Sequence, residues 1–135
     1  MKMALYGLTG LIIGLHNFYW LMSAIYGGPI NPWYGAPLFG SVLLMLAAII
    51  LRFRPRNAAQ IGLAGSLLAW VAYAPFIVVS LAHPISTVHQ LRFYISFHDY
   101  VPVLGGVVAP ALLITCTVIS IILLRQHPAI SRATS

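Results

Sequence analysis

The hydrophobic pattern of the chain falls into four long apolar blocks, separated by short stretches rich in Gly, Pro, His and Arg. The blocks run from about Ala4 to Tyr26, Ala36 to Phe53, Ala58 to Ala82 and Tyr100 to Leu124. A hydrocarbon core of about 30 Å is crossed by about 20 helical residues, and only the second block falls short of that. A membrane barrel strand would alternate strictly over about ten residues, and the blocks do not. Backbone groups in lipid must be satisfied within the span, which leaves helices. The predicted fold class is an all-α membrane protein, a bundle of four transmembrane helices forming one integral domain over residues 1–135.

Each break has a local cause. Gly27-Gly28-Pro29 stops the first helix and Asn31-Pro32 continues the turn. Pro55 sits between Arg54 and Arg56 in a tight polar connection. His83-Pro84 and His127-Pro128 end the third and fourth helices, because a residue before proline is pushed out of the helical region. The connection from His83 to Asp99 is the longest. Thr87 and Gln90 have capping-box spacing, and Val88, Leu91 and Ile95 then repeat at i, i+3, i+7. This predicts a short interfacial helix in the loop between helices three and four. Ser96 and Asp99 repeat the cap pattern where the fourth helix begins.

Charge gives the orientation. The 135 residues hold 7 Lys or Arg and a single carboxylate, Asp99, for a formal charge of +6. Lys2, Arg52, Arg54, Arg56, Arg125 and Arg132 fall on one side of a four-span fold, and only Arg92 on the other. The positive-inside rule therefore predicts both termini in the cytoplasm, N-in and C-in, as in a multi-pass protein of a bacterial inner membrane. Tyr26, Trp33, Tyr34 and Tyr100 fall near the opposite boundary, as an aromatic belt does. With 61% hydrophobic residues and a mean hydropathy of +0.95, a soluble domain is excluded. The basic residues sit at block ends rather than in a cluster, which argues against a nucleic-acid partner.

Association in lipid depends on close packing, so small-residue stripes mark helix contacts. Gly10 and Gly14, then Gly62 and Ser66, then Gly105 and Ala109 have that spacing. Such faces serve either the bundle itself or a second membrane protein. Pro75 and Pro110 lie inside helices three and four and predict kinks.

Few residues offer chemistry. His16 and Asn17 lie about ten residues from the far end of helix one, roughly 15 Å deep at 1.5 Å per residue. A polar pair at that depth is a candidate cofactor site. His16 is a candidate ligand to haem iron or to the magnesium of a chlorophyll-type pigment, a hydrogen-bond partner of a quinone carbonyl, or part of a polar path. The plain alternative is a neutral imidazole bonded to a neighbouring helix, with no cofactor. His83, His89, His98 and Asp99 form a second constellation, with donor types that suit Zn²⁺ or Cu²⁺ but no repeating metal spacing. Its plain alternative is an interfacial loop with an Arg92–Asp99 ion pair. The lone Cys116 forms no intrachain disulfide and no two-cysteine redox pair.

No motif fixes a reaction, and the expectation is not an enzyme. The leading functional expectation is an accessory or structural subunit of a larger membrane complex, in contact with the lipid bilayer and with a membrane-protein partner or a second copy. The first alternative is a cofactor- or quinone-contacting electron-transfer subunit using His16. The second is a small carrier or channel with an outer histidine vestibule.

Overall fold

The computed structural model describes residues 1–27 and 34–128. The turn expected over residues 28–32, Trp33, Arg132 and the tail from Ala129 lie outside them. Among the described residues 89% are helical and no strand occurs. The helices are α1 (Lys2–Ile25), α2 (Gly35–Ile50), α3 (Pro55–Ala82), α4 (Pro84–Ser96) and α5 (Val101–Gln126). Three of them, α1, α3 and α5, are long and apolar enough to cross a membrane, and α2 is a shorter apolar helix of 16 residues.

Sequence chemistry accounts for the boundaries. Pro55 begins α3 at a position where its missing N–H costs nothing. That places the start three residues before the apolar block. His83 alone separates α3 from α4, and Pro84 opens α4. The helix expected to begin at a Thr87 cap therefore begins earlier. Thr87 lies inside it, and its hydroxyl donates back to the His83 carbonyl at 3.0 Å. Ser96 likewise ends α4 instead of capping the next helix, with its hydroxyl on the Phe93 carbonyl. α4 stops in a Schellman arrangement. The N–H of His98 reaches the Ile95 carbonyl and that of Asp99 the Tyr94 carbonyl. His98 holds the left-handed position at φ 58°, where glycine is the common choice.

α1, α2, α3 and α5 pack in a ring, with α2 between α1 and α3, and α5 closing the ring against α3 and α1. The glycine stripes set the distances. A Cβ on Gly10 would fall 2.8 Å from the Ser41 carbonyl oxygen, and one on Gly14 would fall 3.2 Å from the Ser41 hydroxyl. α2 and α3 come closest where Gly40 meets Gly65. A Cβ on either would lie 2.6–2.8 Å from the other's carbonyl oxygen. Gly62 receives the Tyr6 ring, and Ser66 and Ala109 are fully buried. Every small-residue pair singled out above thus carries contacts inside the ring. Tyr6, Ile13, Leu44, Leu113 and Cys116 fill the centre. The Tyr6 hydroxyl bonds the Ser120 hydroxyl, and the Cys116 thiol lies 3.2 Å from the Thr9 hydroxyl.

α5 widens into a π-helical turn at Leu104–Val108, near its start and shortly before Pro110. In a regular helix the Pro110 ring would strike the carbonyl of Gly106, four residues back, and a wider turn relieves that contact. α4 packs against α3 and the start of α5 and contains no buried residue.

Candidate functional site

His16 and Asn17 sit on α1 facing α3 and α5, and Tyr73 faces them from α3. The His16 Nδ1 lies 2.7 Å from the Tyr73 hydroxyl. The Asn17 amide nitrogen donates to the same hydroxyl at 3.1 Å and to the Ile13 carbonyl at 2.9 Å. Trp20, one turn beyond His16, donates its indole N–H to His16 Nε2 at 2.9 Å. Four side chains from two helices thus form one connected cluster. Asn17 and Tyr73 are each only 3% exposed. Among the described residues no buried side-chain nitrogen or oxygen lacks a partner, as a low-dielectric setting requires.

α5 makes room for the imidazole. A Cβ on Gly105 would run into the His16 ring. The π-helical turn and its glycine together bring the α5 backbone against the ring face. Gly105, expected as a helix-packing residue, therefore packs a helix against a site residue.

A cavity of about 360 Å³ adjoins the cluster, within the common range for small-molecule sites. His16, Asn17 and Tyr73 form its buried end. Ala72, Phe76, Leu91 and Pro102 supply apolar wall, while Thr87, Gln90 and Tyr94 face it from α4 and Tyr34 from the residue before α2. No Lys, Arg, Asp or Glu lines it among the described residues.

Both ring nitrogens of His16 are engaged. An axial ligand to haem iron or a pigment magnesium needs a free nitrogen lone pair, so His16 would have to release Trp20 to serve as one. Its present geometry is that of a hydrogen-bonded imidazole. The second constellation does not assemble. Among the described residues no three or more His, Cys, Asp or Glu side chains come close enough to share a metal ion. His83 caps α4, His89 lies along it and His98 ends it. Asp99, expected beside Arg92, instead accepts a hydrogen bond at 2.7 Å from the Tyr19 hydroxyl. That contact fixes the α4–α5 junction to α1.

The residues that sequence reasoning missed are Tyr73, Trp20 as a donor, and Tyr19. A signal for Tyr73 is present. It continues the stripe Gly62, Ser66, Ala69 at the next helical step. A large polar ring ending a run of small residues marks where two close-packed helices part. No protein-family model, curated protein or solved structure matches the chain.

Proposed function

We propose that the chain is a four-span integral membrane protein with both termini cytoplasmic. In this reading it has no catalysis of its own and acts as an accessory subunit that holds a small lipid-soluble molecule beside His16. The fourth span is α2. Its 16 residues reach about 24 Å at 1.5 Å per residue, short of the hydrocarbon thickness. Its two faces are nonetheless locked along α1 and α3 through Gly10, Gly40 and Gly65, so it shares their slab. The mismatch is of a size that local thinning of the bilayer accommodates. The loading of Lys2, Arg52, Arg54, Arg56 and Arg125 at one end of the ring sets the orientation. α4, with Ile85, Phe93 and Ile95 exposed, then lies in the outer interface.

The observation that carries the ligand reading is the uncharged cavity ending on a hydrogen-bonded His–Tyr–Asn–Trp cluster whose Tyr and Asn are buried. A polar cluster deep in a bundle costs stability unless it is bonded, and every buried polar atom of this one has at least one partner while the cluster walls a space. Native mass spectrometry of the protein, extracted from its own host in mild detergent, tests the reading. A mass a few hundred daltons above the chain, released on denaturation, is expected. A bare chain that also takes up no added lipophile overturns it.

A further inference from the structure

The polarity of the bonds around Tyr73 follows atom by atom. The indole N–H of Trp20 only donates, so His16 Nε2 carries a lone pair and no proton. The proton of the neutral imidazole is then on Nδ1, and Nδ1–H donates to the Tyr73 oxygen. The Ile13 carbonyl only accepts, so the Asn17 atom beside it is the amide nitrogen, and that nitrogen also donates to the Tyr73 oxygen. Both lone pairs of the phenol oxygen are taken. Among the described residues no acceptor remains for its own proton, and Tyr73 lines the cavity.

We propose that Tyr73 donates its phenolic proton to the bound molecule. The ligand is an uncharged, lipid-soluble compound with a carbonyl-type acceptor at its buried end, the chemistry of a quinone. The inference rests on the reading of the cavity as a ligand site. A cation or carboxylate would find no charged partner among the described residues lining the cavity. A ligand hydroxyl or amine aimed at Tyr73 would meet an oxygen with no free lone pair. Trp20 sets this selectivity through His16, because it dictates which ring nitrogen holds the proton. Trp20 is thus a positioning residue.

The test uses the full chain in lipid nanodiscs with two probes of the same tail, decylubiquinone and decylbenzene, titrated by calorimetry. Decylubiquinone is expected to bind more tightly than decylbenzene. Tyr73→Phe should weaken decylubiquinone about three- to tenfold, the size of one net hydrogen bond, and leave decylbenzene unchanged. Trp20→Phe frees the imidazole to move its proton to Nε2 and accept from Tyr73. It should weaken decylubiquinone relative to decylbenzene although Tyr73 is intact. Nitrogen-15 spectra of histidine-labelled wild type, which need no variant to fold, should show Nδ1 of His16 protonated and Nε2 bare. The reverse assignment overturns the proposal. Equal binding of both probes, unaffected by Tyr73→Phe, overturns it while the cavity reading stands. Binding of neither probe removes both.

Discussion

Gly105 and Gly106 are neighbours with opposite tolerances. A Cβ on Gly105 enters the His16 ring, which is held by bonds at both nitrogens and has nowhere to turn. A Cβ on Gly106 would meet the Phe76 ring at 3.5 Å, an ordinary contact. Gly105→Ala should therefore cost about 1–3 kcal/mol, the usual range for overpacking, and Gly106→Ala should be nearly neutral. Reversible unfolding in a detergent series measures both, and equal effects would refute the assignment. His98 gives a second prediction at this scale. Its left-handed backbone costs a non-glycine residue about 1–2 kcal/mol, and a β-branched side chain fits worse. His98→Val should lower the unfolding temperature, and His98→Gly should match or exceed wild type. A loss in His98→Gly comparable to that in His98→Val would show that the imidazole does more than end a helix.

At the scale of elements, α2 and α3 meet glycine to glycine, backbone against backbone. Gly40→Ala would set a methyl 2.6 Å from the Gly65 carbonyl oxygen, a backbone atom that moves only with its helix. A loss of about 1–3 kcal/mol is expected, and a neutral result would mean that α2 and α3 pack more loosely than described. Gly10 and Gly14 were readable from the sequence because their spacing is regular. Gly40 was not, since no second glycine lies four residues away from it. The same limit separates the parts of the site. His16 and Asn17 announced themselves as polar residues in an apolar block. Tyr73, one of seven tyrosines, stood out only once the structure aimed its hydroxyl at His16 and Asn17. The metal set failed for a related reason. Spacing along α4 says little about convergence when one member, His98, is spent on stopping the helix and Asp99 is drawn to Tyr19. Pro110 foretold a disturbance in α5, but only the structure gave it the form of a widened turn.

At the scale of the molecule, the orientation is testable without any ligand. Alkaline phosphatase fused after Gly27 or after His98 should be active in a bacterial host, and fusions after Arg54 or Gln126 inactive. Activity after both Gly27 and Arg54 would remove α2 as a span, and activity after Arg54 but not after Gly27 would reverse the orientation. Cys116 adds a folding readout. It is the only thiol and is fully buried, so a maleimide should label the folded chain very slowly and the unfolded chain once.

The cluster at His16 also bears on the ion gradient of the host membrane. A histidine and a tyrosine bonded to each other within a bundle of apolar helices are the usual ingredients of a proton wire. Conduction along such a wire requires every link to hand on one proton and receive another. Here the line of bonds ends on the indole of Trp20, whose N–H can neither accept a proton nor readily part with its own. At its other end Asn17 is anchored to the Ile13 carbonyl. The line is closed at both ends, and the one proton left over, that of Tyr73, faces the cavity with no protein acceptor beyond it among the described residues, so in a four-span fold this polar cluster would not short-circuit the membrane.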